Sequence, residues 1–200
     1  MPRVSNEERR RLKEEAILES ARSVFLRKGF IDVTMKDIIE ECGISRGGIY
    51  LYYDSVDDIF VAGAAHRNKR KFEVIRNLIK TNMPFLDLLD AYFEMQKNRL
   101  LHMEDSMLRS MYEYFFTHKG PEDRRFQQAQ FDNVKNTIIE ILELGVRQGC
   151  LDGGNIAPLA ENFMFVIEGL SVLALLGGIT QERIDTQFKL MRSMLPMIEK

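Results

Sequence analysis

From Phe163 to Ile179 the chain is apolar at almost every position, broken chiefly by Glu168, Ser171 and glycines. A helix built from these residues has no polar face to give to water, so it must be covered on both sides. A membrane span needs about 20 apolar residues. This run is shorter, carries Glu168 and ends in the Gly177-Gly178 pair. The remaining solution packs one side on the chain's own core and the other on a second copy of the same helix. The last helical segment offers a matching stripe in Ile184, Phe188, Met191 and Leu195, spaced as neighbours on one helix face. The expected interface of a homodimer is therefore Phe163, Leu170 and Leu173 together with that stripe.

The rest of the chain also reads as helices. Ser5 with Glu8 forms a capping box, and Ile17, Ala21, Val24 and Phe25 recur at helical spacing until Gly29. Thr34 with Asp37, Ser45, and Ser55 with Asp58 start three more helices, the second of these directly after a glycine turn at Cys42-Gly43. Further along, Pro84, Pro121, Asn155 and Thr180 are starts, and Gly149 and Gly177-Gly178 are stops. The helices expected are 6–28, one opening at each of Thr34 and Ser45, 55–80, 85–102, 105–117, 121–148, 156–176 and 181–195. Nothing alternates like a strand, so the fold class is all-α.

Composition excludes some functions. With 45% apolar and 29% charged residues the chain is that of a folded protein, and 200 residues leave room for at most two ordinary domains. Cys42 and Cys150 are isolated, which suggests neither a disulfide framework nor a zinc site. His66, His102 and His118 are scattered and no nucleophile motif is present, so the sequence argues for no enzyme, no metal and no cofactor. The start is charged, without an apolar secretion segment, and the expected location is the cytoplasm. A net charge of −2 does not advertise a nucleic-acid binder. Local excess positive charge sits in Arg3, Arg9, Arg10, Arg11 and Lys13.

The segment from Thr34 to Tyr53 is two short helices joined at Gly43, with Ile38, Ile44 and Ile49 as the apolar lock between them. That is a helix-turn-helix, a unit that lays the N-terminal residues of its second helix along base edges in the major groove. Here those residues are Ser45, Arg46, Gly47 and Gly48. Small residues let the helix approach closely.

The stretch from Ile17 to Phe60 resembles the N-terminal domain of TetR-type transcriptional regulators. Ala21 to Gly29-Phe30, Thr34, Gly43-Ile44-Ser45-Arg46-Gly47, Ile49-Tyr50 and Tyr52-Tyr53 follow its pattern. The resemblance implies a helix-turn-helix domain, 1–54, and a helical-bundle domain for effector binding and dimerisation, 55–200. It also implies that Thr34, Tyr50 and Tyr52 bind phosphates of double-stranded operator DNA while Arg46, Gly47 and their neighbours meet bases. Each residue has a plainer role beside this one. Thr34 is an N-cap, the tyrosines are packing aromatics with a polar tip, and Arg46 is a solvated surface arginine. The chain departs from the family pattern at Gly48, where a hydroxyl residue is common, at Ile39, where a small residue is usual, and at Asp54, Val56, Asp57 and Asp58, where lysines often stand. The basic residues before and within the first helix either replace the missing phosphate clamp or are simply solvated.

In the family, the middle helices enclose an effector pocket. Met103, Met107, Met111, Tyr112 and Phe115 line up at helical spacing, as core or as the lining for an apolar effector. Tyr92, Gln96, Arg99, Asn162 and Glu168 are the polar groups that would orient it, and Glu168 needs a partner in an apolar helix. The function expected is a repressor released from a palindromic operator by a small apolar or amphipathic molecule. The alternative is a DNA binder of the same fold governed by a protein partner.

Overall fold

The computed structural model describes residues 5–198, and of 69–71 the backbone only. Its helices are α1 (Asn6–Lys28), α2 (Met35–Cys42), α3 (Arg46–Ile49), α4 (Val56–Lys80), α5 (Phe85–Leu101), α6 (Leu108–Thr117), α7 (Pro121–Arg147), α8 (Ile156–Leu175) and α9 (Gln181–Ser193). The fold is all-α. Side-chain caps set the starts: Ser5, Thr34, Ser45, Ser55 and Thr180 each accept the backbone N–H three residues on. Gly43, at φ +62°, ends α2 in the left-handed region. Where the sequence predicts one helix over 105–117, the chain instead makes a 3₁₀ turn, Met103–Asp105, and an extended Ser106 before α6 begins at Leu108. No side chain caps α6, so nothing holds it to an earlier start. One antiparallel bridge, Leu151 to Met197, ties the chain end to the α7–α8 link. Asp152 N–H donates to Pro196 C=O at 2.9 Å and Ile198 N–H to Cys150 C=O at 3.0 Å.

The chain forms two compact units, and their boundary falls inside α4. One takes the chain up to Lys69 together with Met107–Lys119, the other Arg70–Ser106 together with the chain from Gly120. The first unit therefore reaches beyond the boundary at 54 and 55 drawn from the sequence. It includes α6 because Tyr114 closes an aromatic cluster with Phe25, Phe30 and Phe60. Ring centroids lie 5.1 Å apart for Phe30–Tyr114, Phe60–Tyr114 and Phe25–Phe60. Such pairs add about 0.5–1.5 kcal/mol each beyond the area they bury. Polar bonds fix the same helix. Glu113 accepts the N–H of Phe30 and, at 3.1 Å, of Ile31, while Ser110 Oγ donates to Phe25 C=O at 3.1 Å.

In the second unit α5, α7, α8 and α9 pack around Phe85, Leu88, Leu89, Phe93, Ile141 and Phe163, all buried. Gln148 clasps the turn before α5: its Oε1 accepts the Phe85 N–H at 2.8 Å and its Nε2 donates to Met83 C=O at 2.9 Å. By length and hydropathy alone, α8 is long and apolar enough to cross a membrane. Here its inward stripe is packed in the core.

That packing buries most of the side chains expected at the interface. Phe163, Leu170, Ile184, Phe188, Met191 and Leu195 are all buried within the chain itself, and of the expected residues Leu173 alone is exposed. The outward stripe of α8 is Phe165, Val172, Leu173 and Leu176, with Leu176 78% exposed, and that of α9 is Leu190 and Met194. In a helix that is apolar all round, periodicity cannot tell the inward side from the outward one.

Candidate nucleic-acid interface and polar core cluster

The helix-turn-helix is held by α1 and by its own cap. Thr34 and Asp37 form a complete capping box, in which Thr34 Oγ1 accepts the Asp37 N–H and Asp37 Oδ2 accepts both the N–H and the hydroxyl of Thr34. Lys28 of α1 pairs with Asp37 at 2.7 Å and Arg27 with Glu41 at 2.6 Å. The Lys28 ammonium first, and the Thr34 bonds after it, hold the Asp37 carboxyl at about 2. A carboxylate is an acceptor only, so the Thr34 hydroxyl must be the donor of their 2.8 Å bond. The phosphate role expected of Thr34 thus meets a competitor already in place.

Ser45 caps α3 through Gly48 N–H at 3.2 Å. A Cβ on Gly48 would lie 2.9 Å from Ile44 Cγ1 and 3.1 Å from Ser45 Oγ, which accounts for glycine where the family commonly has a hydroxyl residue. A Cβ on Gly47 would meet nothing within 4 Å. Arg46 and Tyr50 are exposed, Tyr52 is half-buried, and Ile49 is fully buried beneath them. Burial, with the Glu14 carboxylate adding to it, pushes the Tyr53 phenol up. Tyr53 N–H donates to Ile49 C=O at 3.1 Å and closes a turn that follows α3.

Most of the basic residues singled out in the sequence fall within the first helix, as the expected span 6–28 places them. Arg9, Arg10, Arg11 and Lys13 lie inside α1, and Arg3 lies outside the described residues. Arg10 and Arg11 pair with Glu14 and Glu15 one turn on, at 3.2 and 2.8 Å, and the Arg10 guanidinium stands 5.9 Å from the centre of the Tyr52 ring. That stacking had no signal in the sequence. The acidic start of α4 is used internally: Asp58 accepts the Ser55 hydroxyl at 2.7 Å, and Asp57 lies 3.2 Å from His118 Nε2.

The residues expected to bind an effector do not fall in one unit. Met107, Met111, Tyr112 and Phe115 belong with the helix-turn-helix unit, where Met107 and Phe115 are buried and Tyr112 stacks on Phe116. Tyr92, Gln96, Arg99, Asn162 and Glu168 belong to the second unit, where Asn162 is exposed. Of the latter, the buried Gln96 accepts from Arg99 Nε at 3.0 Å, and Arg99 donates to the buried Ser171 hydroxyl at 3.0 Å. Burial pushes the Tyr92 phenol far up, with the Arg99 charge opposing and the Glu168 charge adding to the effect. Ser171 was visible in the sequence only as an interruption of an apolar run. Among the described residues no group of three or more His, Cys, Asp or Glu side chains is placed to hold a metal ion.

The family model for bacterial regulatory proteins of the tetR family matches residues 17–62. YfiR, an uncharacterized HTH-type transcriptional regulator of Bacillus subtilis, is 30% identical over 178 residues, covering 84% of this chain and 82% of that protein. Among solved structures, reduced E. coli NemR matches with a TM-score of 0.79 at 15% identity, covering 94% of this chain and 100% of that one. A transcriptional regulator from Saccharomonospora viridis in complex with choline matches with a TM-score of 0.74 at 21% identity, covering 94% of this chain and 98% of that one. A capped helix-turn-helix, an all-α bundle formed by later helices of the chain and a relative of this identity over most of both lengths agree: the chain belongs to the TetR family of DNA-binding transcriptional regulators.

Proposed function

We propose that this protein is a homodimeric repressor that leaves a palindromic operator when a small amphipathic molecule binds its second unit. The observation that carries the DNA half is the Ser45-capped recognition helix, which exposes Arg46 and leaves open space at Gly47. A guanidinium there reaches guanine edges in a bidentate fork, and a backbone without Cβ comes close to the bases. Tyr50 and Tyr52, a turn later, supply phosphate contacts, with Arg10 beside Tyr52 adding positive charge.

The dimer half is supported by the outward stripe of Phe165, Val172, Leu173 and Leu176 on α8 with Leu190 and Met194 on α9. Several large apolar side chains exposed along one helix side are the kind of surface that association covers. The effector half is supported by the Tyr92, Gln96, Arg99 and Ser171 cluster in an otherwise apolar core. It places a few polar groups among packed apolar side chains, the combination of chemistries that small-molecule sites use. The choline complex of the Saccharomonospora viridis regulator is an instance of this fold holding a small organic cation.

Selection of bound sequences from random duplex DNA tests the reading. The expected result is a palindrome with two half-sites about one helical turn or a multiple of it apart. Recovery of DNA without sequence preference overturns it. An effector found afterwards must bind more weakly to the operator complex than to free protein, by the factor with which it weakens DNA binding.

A further inference from the structure

We propose that Leu51 reads thymine in the operator through the C5-methyl group, as a second base-reading residue beside Arg46. The inference rests on the recognition-helix reading above.

Leu51 is 76% exposed, among the most exposed large apolar side chains described in the protein. Its place on the helix gives that exposure a direction. Past α3 the chain keeps turning, with Tyr50 N–H donating to Arg46 C=O at 3.5 Å and Tyr52 and Tyr53 N–H both donating to Ile49 C=O at 2.9 and 3.1 Å. At the ~100–120° per residue of α-helical and 3₁₀ turns, Leu51 lies roughly 120–160° around the turn from Ile49. Ile49 is fully buried, so Leu51 stands on the side turned furthest from the protein. Gly47 shares that side one turn earlier, and a side chain there would meet nothing within 4 Å. The outermost line of the recognition helix therefore has bare backbone at Gly47 followed by the isobutyl group of Leu51. Arg46 and Tyr50 lie on one flank of that line, Gly48 and Tyr52 on the other.

An exposed leucine is by itself ordinary. At the apex of a helix that enters the major groove it will be desolvated, and its chemistry then decides what it tolerates. The groove edges of guanine, adenine and cytosine present acceptors and donors, and thymine alone adds an apolar group, the C5-methyl. Against N7, O6 or N4 the leucine strips water and returns no hydrogen bond. Against the thymine methyl both partners lose apolar surface to water. The residue therefore selects a thymine where it comes to rest, and the two-fold operator repeats that position in each half-site.

Deoxyuridine pairs with adenine as thymine does and lacks only the methyl group, which makes it the probe. Each thymine of the selected operator is replaced singly by deoxyuridine, and binding of the full-length protein and of Leu51→Ala is measured at one salt concentration. At one thymine per half-site the replacement should weaken the wild type about fourfold, the value of one buried methyl-sized group. At the same position it should leave Leu51→Ala unchanged. Uniform indifference to deoxyuridine overturns the proposal, as does a penalty that Leu51→Ala retains, since another residue or the DNA shape then senses the methyl. Arg46→Ala, measured on single-base operator mutants in parallel, separates the two levels. If it alters base preference while deoxyuridine is silent, the helix reads DNA without Leu51. If neither has an effect, the recognition-helix reading itself has failed.

Discussion

The Thr34 hydroxyl donates its one proton to Asp37, 2.8 Å away, so the side chain that the family pattern assigns to a phosphate is already engaged. Asp37 keeps its charge down to about pH 2 because Lys28 and Thr34 both favour the ionised form. A folded-state value below the unfolded 3.8 means that its contribution is present above about pH 4 and is lost as the pH falls towards 2. In Asp37→Asn the urea midpoint should be lower at neutral pH, and its fall across that acid window should be shallower. The same variant replaces a charged acceptor of the Thr34 hydroxyl with a weaker neutral one and removes a negative charge beside the backbone path. It should bind operator more tightly, by a factor that shrinks as salt is added.

Glu113 ties α6 to the loop before α2. Burial alone would raise its carboxyl, but the N–H groups of Ile31 and Phe30 and the Arg109 guanidinium outweigh it and hold the group below its ordinary value of 4.5. Glu113→Gln should cost about 1.5–3 kcal/mol at neutral pH, the range for hydrogen bonds to a charged group. Since the carboxylate form is the stabilising one, the gap between variant and wild type should close as the pH falls through the folded value. Chemical unfolding followed from neutral pH down through the acid range checks both statements.

Association and folding are separable at the C-terminal helices. Leu176→Asp and Leu190→Asp place a charge on exposed positions and should give folded, smaller particles by light scattering. Phe188→Asp places the charge in the core, against Phe93 with ring centroids 4.9 Å apart, and should unfold the second unit. Folded dimers of Leu176→Asp would move the interface elsewhere.

Arg46 and Tyr50 should differ in kind. Arg46→Ala is expected to cost about 1–3 kcal/mol per half-site and to relax preference at one base-pair position. Tyr50→Phe should weaken binding to all sequences alike, because a phosphate is the same above every base. A panel of single-base operator mutants at fixed salt distinguishes the two patterns.

The local elements were legible in the sequence because their signals are local. Ser5, Thr34, Ser45 and Ser55 each cap the helix assigned to them. What was not legible depends on long-range packing. The inward side of α8 is chosen by its neighbours, so Phe163 was taken for an outward residue while Phe165, two positions on, is the exposed one. Nothing near Glu113 announces a bond to Phe30, 83 positions earlier, and the grouping of α6 with the helix-turn-helix had no signal in the sequence. The Arg10 and Tyr52 stacking joins α1 to the end of the recognition helix and was hidden for the same reason. At the core cluster, Tyr92, Gln96, Arg99 and Glu168 were marked by being polar in apolar surroundings, and Ser171 completed them only once the helices were packed.

Because Met107–Lys119 belongs to the same compact unit as the helix-turn-helix, that unit is assembled from two pieces of chain with thirty-seven residues of the other unit strung between them. No single cut in the gene separates the units. A fragment ending at residue 69 would leave Phe30 and Phe60 without Tyr114, and the N–H groups of Phe30 and Ile31 without their carboxylate. Exchange of reading heads between relatives, whether by recombination or by a protein engineer, must therefore carry the α6 segment along or restore the matching residues on it. A graft made at the α3–α4 junction inherits a new head seated on an old helix, and its operator specificity would be bought with a mismatched seam.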